Sequence, residues 1–298
     1  MNPVLLYFVS GDSFYAGACL LFGAVVLTEY LKRTWLSRLR NLAAWLGLAM
    51  MVMACPPFSP TLDAIFVAAF VLWFAAANKW LPWAGIKWRL WNGVVLTIVV
   101  LTLTVLELSH RRLPAIVGAP SDHLVVIGDS ISSGIDPRVP AWPLLLQQST
   151  NVTVRNLSRP GAEMAEANDM AAGVTSEDRL VLIEVGGNDL LSGVPSVVFE
   201  KSLDAMLSRL VMPGRTIVMF ELPLLPHEIA YGRIQRHLSE KYSVWLIPKR
   251  FFVEVIGGAN ATSDGLHLSE AGAHHMATLV ATVLAPLLKT DTGRPDGQ

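Results

Sequence analysis

Cysteine is nearly missing. There are two in 298 residues, Cys19 and Cys55, both inside apolar runs. No disulfide framework is therefore expected, and cysteine usage does not identify a compartment. An excess of either charge is missing too. Lysine and arginine number 23 against 24 acidic residues, a formal net charge of −1, so nothing points to nucleic acid. The chain begins without a basic stretch ahead of its first apolar run, which argues against a cleaved signal peptide and keeps the first segment in the expected protein. No Cys/His ligand cluster is present, and neither metal nor cofactor is expected. Charge of any kind is sparse, at 16% of residues, and unevenly spread: eleven Asp, Glu, Lys or Arg residues precede His110 and thirty-six follow it. Seven of the nine tryptophans fall at or before Trp91. The 52% hydrophobic content and mean hydropathy of +0.46 thus average two different regions, a membrane-like first third and an ordinary globular remainder.

Four apolar stretches fill the first region: Phe14–Leu31, Leu42–Phe58, Leu62–Ala77 and Trp91–Leu108. Crossing the hydrocarbon takes about 20 apolar residues, with a floor of about 17. The first and fourth stretches meet that length, and the second and third are marginal. Lys32, Arg33, Arg38 and Arg40 follow the first stretch, and Lys79, Lys87 and Arg89 follow the third. The positive-inside rule places both basic loops in the cytoplasm, and so sends everything after Leu108 outside, to the periplasm in a diderm bacterium. Arg111 and Arg112 oppose this weakly. Trp80, Trp83, Trp88 and Trp91 interleave with the basic residues of the second loop, a pattern suited to the headgroup level.

From about Leu113 strand and helix patterns alternate. Strands are expected at Leu124–Ile127, Val152–Asn156, Leu180–Glu184, Thr216–Glu221 and Val244–Ile247. Helices are expected at Trp142–Thr150, Ala162–Ala172, Ser196–Val211, Glu228–Tyr242 and Ser269–Leu288. This alternation predicts a parallel sheet covered on both faces. Ligands of such sheets bind beyond the carboxyl ends of the strands. Ser130 follows the first strand, Gly161 the second and Asn188 the third, and His267 precedes the last helix. The expected division is a helical membrane region over 1–112, a catalytic domain over 113–288, and a disordered tail over 289–298.

Ser130, Asp264 and His267 supply a nucleophile, an acid and a base. A serine hydroxyl needs a positioned imidazole to take its proton, and the imidazole needs a carboxylate to fix its tautomer and stabilise its cation. Four blocks carry these residues: Val126–Gly134 with Gly128-Asp129-Ser130, Asn156–Gly161, Glu184–Leu190 with Gly187-Asn188-Asp189, and Asp264-Gly265-Leu266-His267 followed by Leu268-Ser269-Glu270. Together they resemble the SGNH (GDSL-type) hydrolase family over about 124–288. The membrane region has no part in that resemblance. The resemblance implies a flavodoxin-like, three-layer α/β fold with a five-stranded parallel sheet, preceded here by about four transmembrane segments. It implies Ser130 as nucleophile, His267 as general base and then acid, and Asp264 as the group that orients His267. It further implies that the backbone N–H groups of Ser130 and Gly161 and the side-chain amide of Asn188 hold the oxyanion. Glycine at 161 suits this role, because it lets a backbone N–H approach a substrate closely. Asp129 and Asp189 are expected to be structural hydrogen-bonders, and Ser132 and Ser133 to satisfy local backbone groups.

The expected function is a membrane-anchored serine esterase acting on an acyl ester, of a lipid or an acetylated glycan, with the bilayer as its other partner. The same triad would serve an O-acyltransferase acting on an envelope polysaccharide. A non-enzymatic membrane assembly or binding module is the third reading.

Overall fold

The computed structural model describes residues 2–30, 34–81, 85–150 and 152–289. Lys32, Arg33 and Trp83, and residues 290–298 of the expected tail, lie outside the described residues. The chain divides into two compact units. One comprises Leu113–Pro223 and Ala230 onward, with Met1–Leu6; the other comprises Tyr7–Arg112 with Leu224–Ile229.

The second unit is helical. Its elements are α1 (Pro3–Val9, whose start belongs to the first unit), α2 (Asp12–Tyr30), α3 (Thr34–Met53), α4 (Pro60–Ala77) and α5 (Ile86–Ser109). Phe14, Leu21, Phe58, Phe70, Trp73 and Leu96 form much of its interior. Among the described residues two helices are long and apolar enough to cross a membrane, α4 and α5. The pair Pro3–Val9 and Asp12–Thr28 adds a third candidate only if its 79° bend lies within one broken span. Four spans are therefore not all supported, and the ranking of the stretches changes. The third stretch becomes one of the two clearest, because Ser59 caps its helix by accepting from the Leu62 N–H and Pro60 starts it early, giving 18 residues. The second stretch drops out of the candidates. Its helix begins at Thr34 and so takes in Arg38 and Arg40, which were expected to lie in a loop. Arg40 is buried, donating to the Ala77 carbonyl at 3.1 Å and to Asn78 Oδ1 at 2.8 Å. A guanidinium at a helix C-terminus satisfies carbonyls that lack an intrahelical partner.

The first unit is a five-stranded parallel sheet with the order β2-β1-β3-β4-β5. The strands are β1 (His123–Gly128), β2 (Thr153–Asn156), β3 (Leu180–Glu184), β4 (Thr216–Phe220) and β5 (Trp245–Ile247). The five expected strands are all present, to within a residue or so at their ends. Every residue of β3 and β4 is buried, as expected of strands covered on both faces. Side chains alternate between faces. Leu124, Val126, Leu182 and Val218 pack in one cluster with Trp142 and Leu146 of α7 (Trp142–Thr150) and Met276 and Val280 of α13 (Glu270–Leu284). The intervening Val125, Ile127, Val181 and Ile183 are equally buried. They face the opposite layer, where α8 (Met164–Ala171) packs against β1 and against α10 (Ser196–Leu210). Each such side chain contributes roughly 1.5–3 kcal/mol through burial. Between and after these elements lie α6 (Ser130–Ser133), α9 (Gly187–Ser192), α11 (Ile229–Tyr242) and α12 (Lys249–Gly257). Of these, α6, α9 and α12 were not expected from the sequence. The strand order reverses direction at β1, with β2 on one side and β3 on the other. That is the switch point at which sheets of this order bind ligands.

Candidate active site

Ser130 opens α6 at the carboxyl end of β1. The turn is tight. A Cβ at Gly128 would lie 2.6 Å from Ser132 Cβ and 2.9 Å from the Glu184 carbonyl oxygen, so only glycine allows α6 to fold back onto the strand end. Asp129 caps the helix, its Oδ1 accepting from the Ile131 N–H at 2.9 Å. Ser130 itself is 9% exposed, and its Oγ makes no hydrogen bond among the described residues.

Asp264 and His267 share one loop. Thr262 and Leu268 bridge its base, and the Ser263 N–H donates to the His267 carbonyl at 2.9 Å. Asp264 Oδ1 accepts from the backbone N–H groups of Leu266 (2.9 Å) and His267 (2.8 Å), and its Oδ2 lies 2.6 Å from His267 Nδ1. The spacing of three is what lets one carboxylate hold both the turn and the ring. The His267 backbone N–H, the imidazole and then the Leu266 N–H hold the Asp264 carboxyl far below the usual carboxylate range. With Nδ1 occupied by Asp264, Nε2 is the ring nitrogen left for chemistry. His267 lines the same cleft as Ser130, walled by Ile135, Val139, Trp142 and Leu268, with a cavity volume of about 20 Å³.

Gly161 and Asn188 approach from the other two strands. Gly161 has φ +74, with open space where a Cβ would stand. Glycine is thus needed there for its backbone conformation, not for want of room. Asn188 sits in α9 beyond β3. Its Nδ2 donates to Asp129 Oδ2 at 3.2 Å and to the Ala162 carbonyl at 3.0 Å. Both neighbours are acceptors, which fixes the amide orientation. Asn188 therefore ties the residue before Ser130 to the residue after Gly161. Neither the Ser130 nor the Gly161 backbone N–H donates a hydrogen bond among the described residues. Two unengaged N–H donors at the ends of two adjacent strands suit a developing negative charge, and the Asn188 amide beside them is held by Asp129 and Ala162.

Buried acids surround this rim. Burial pushes Asp129 up to about 6, against the Ile131 N–H and the charge of His267. Burial, and then Asp129, raise Glu184 well above its ordinary range. Burial also lifts Asp189 to about 6, and Asp189 Oδ2 accepts from the Met164 N–H at 2.9 Å, anchoring the segment after Gly161. Asp129 and Asp189 are thus hydrogen-bonders, as expected. Ser132 departs from expectation. Its Oγ donates to Glu184 Oε2 at 2.7 Å and accepts from Trp142 Nε1 at 3.1 Å, linking β3 to α7. Ser133 keeps to its own turn, donating to the Gly134 carbonyl at 3.3 Å. Nothing in the sequence distinguished Ser132 from its neighbour, because its partner lies 52 positions away.

The model of the GDSL-like lipase/acylhydrolase family matches residues 126–275, spanning all four blocks. The chain belongs to this family. An arylesterase of Vibrio mimicus is 33% identical over 184 residues, covering 55% of this chain and 88% of that relative. Esterase TesA of Pseudomonas aeruginosa is 28% identical over 186 residues, covering 57% of this chain and 91% of its own. Among solved structures, a crystal structure of TesA aligns at 28% identity with a TM-score of 0.49, covering 56% of this chain and 99% of that one. Membership and these relatives make this GDSL-like chain a carboxylic ester hydrolase. The matched span begins after Arg112 and so does not include Tyr7–Arg112 of the helical unit.

Proposed function

We propose that the chain is a membrane-anchored serine esterase, with 1–112 as the membrane region, 113–288 as the catalytic domain and 289–298 as a tail. The observation that carries the catalytic reading is the His267–Asp264 pair at 2.6 Å, with His267 lining the cleft that also holds Ser130. Ser130 Oγ attacks the ester carbonyl while His267 Nε2 takes its proton. Asp264 holds the Nδ1–H tautomer and stabilises the imidazolium. The Ser130 and Gly161 N–H groups receive the oxyanion, and Asn188 Nδ2 joins them by giving up one of its bonds to Asp129 and Ala162. His267 then protonates the departing alcohol, and water, activated by the same imidazole, frees the acyl group from Ser130.

The substrate is an acyl ester, of a lipid or an acetylated glycan. The names of the relatives, an arylesterase and an esterase, favour ester hydrolysis. The bilayer is the second partner. Helices α4 and α5, with the bent first pair as a third segment, would anchor the chain, and the basic residues at Lys79, Lys87 and Arg89 support a periplasmic or extracellular catalytic domain. Full-length protein in detergent should hydrolyse a short p-nitrophenyl acyl ester, and Ser130→Ala should remove that activity by at least about 10³-fold. Retention of the rate would sink the mechanism. With a glycan acceptor present, free acid should exceed acylated glycan; the reverse would favour the transferase.

A further inference from the structure

We propose that the groove between α2 and α5 of the helical unit binds one zwitterionic glycerophospholipid, with an acyl chain along the groove and the headgroup at Asp12 and Arg111. The inference rests on the membrane-anchored reading above and is independent of the catalytic one. The groove has a volume of about 330 Å³, within the range of about 300–1,000 Å³ usual for small-molecule sites. Tyr15, Cys19 and Phe22 line it from α2, and Thr97, Leu101 and Thr104 from α5. These positions recur every three or four residues, so each helix contributes one continuous stripe. The lining is almost wholly apolar. Even the Thr104 hydroxyl is spent within its helix, donating to the Val100 carbonyl at 2.7 Å. Such a wall offers a polar ligand no partner. Cys19, Phe22 and Leu101 are exposed, so the groove opens on the flank of the unit.

One end of the groove is charged. Asp12 stands one turn before Tyr15, and Arg111 lies beyond Thr104 past the end of α5. Arg111 pairs with Asp12 at 2.8 Å and sits over the Tyr15 ring, 4.7 Å from its centroid. Both charged side chains stay about one-third exposed, at 32% and 34%. A guanidinium has five N–H donors and a carboxylate about four acceptor sites. The pair can therefore stay closed while Arg111 takes a phosphate oxygen and Asp12 an amine. The length fits the same ligand. Tyr15 to Val25 along the lining is about 15 Å of helix, and half of the roughly 30 Å hydrocarbon core is as long. The groove thus runs the depth of one leaflet, with Tyr15 and Arg111 at the headgroup level, where aromatic and basic side chains are stable. By the basic-loop reading this is the outer leaflet. A convex helix face also meets lipid, but the groove holds a chain between two helices and adds a charged pair for its head.

The test uses full-length protein in phosphatidylglycerol vesicles. These carry a trace of phosphatidylethanolamine, or of phosphatidylglycerol, with a diazirine midway along one acyl chain. After illumination and digestion, adducts are mapped by mass. The ethanolamine probe should label the Tyr15–Val25 and Leu96–Thr104 segments at least about fivefold more per residue than the exposed Ile65, Val67 and Val71 of α4, which report ordinary surrounding lipid. The glycerol probe has no amine for Asp12 and should label the groove roughly two- to fivefold less. Arg111→Gln should cost the ethanolamine probe a similar factor. Cys19→Trp, which fills the groove, should bring labelling there down to the α4 level. Unchanged labelling of α4 in both variants reports an intact helical unit. Groove labelling at the α4 level in wild type, as when a second copy of the chain covers the groove, would overturn the site. So would equal labelling by the two probes. Extraction of the protein from vesicles by alkaline carbonate would instead overturn the membrane reading itself.

Discussion

Replacing Asp264 by asparagine isolates the orienting role of its carboxylate. The side chain keeps its shape, and Oδ1 can still accept from the Leu266 and His267 N–H groups, at 2.9 and 2.8 Å in the native loop. The loop should therefore hold. Oδ2, which lies 2.6 Å from His267 Nδ1, becomes an amide donor. Nδ1 must then accept, which moves the ring proton to Nε2, the nitrogen that has to take the Ser130 proton. The ring is held in the wrong tautomer and also loses the charge that stabilises its cation. A change of this kind costs about 10⁴-fold in kcat in the serine protease that serves as the general template, or roughly 5.4 kcal/mol of activation free energy. A loss of about 10³–10⁴ is expected here. Asp264 is held ionised far below the neutral range, so its own titration should not shape the wild-type rate profile above about pH 5. The assay is steady-state hydrolysis of a p-nitrophenyl acyl ester from pH 5 to 9, beside thermal melting. A folded Asp264→Asn variant within tenfold of wild type across that range would refute the assignment of Asp264.

Gly161→Ala should place an L-residue at φ +74, costing about 1–2 kcal/mol and turning the 161 N–H away; a fall in kcat of about tenfold with a small drop in melting temperature is expected. Ser132→Ala leaves both Glu184 Oε2 and Trp142 Nε1 without their shared partner, a loss of about 1–3 kcal/mol by denaturant titration. Asp129 has a folded pKa of about 6, above its unfolded value, so the folded state binds the extra proton. Stability from this group is fully present below about pH 4 and is lost as pH rises through 6, by on the order of 3 kcal/mol. Wild type measured against Asp129→Ser should show that decline, and parallel stability curves would contradict it. Exposed Glu177 changed to cysteine, on a background lacking Cys19 and Cys55, should react with an impermeant maleimide in intact spheroplasts; labelling only after lysis would reverse the orientation.

The sheet was legible because its central strands are short, mostly apolar runs, separated by helices long enough to show their period. The candidate site was legible because its parts fall directly after strands, where Gly128-Asp129-Ser130, Gly161 and Gly187-Asn188 interrupt the apolar pattern. The links between those parts were not. Asp129 meets Asn188, and Ser132 meets Glu184, only because β1 and β3 are neighbours in the sheet, and strand order leaves no mark on local sequence. The helices α6 and α9 span four and six residues, too few for a periodic signal. Arg38 and Arg40 read as loop residues because charge was taken as the end of an apolar stretch. In fact α3 begins before them, and Arg40 is satisfied by the carboxyl end of α4.

The most direct test of the central claim is covalent. Full-length protein treated with a fluorophosphonate, digested and analysed by mass should carry one adduct, on the peptide containing Ser130, with stoichiometric loss of esterase activity and no adduct in Ser130→Ala. Inactivation with the label on another residue, or full activity with Ser130 quantitatively labelled, would contradict the account.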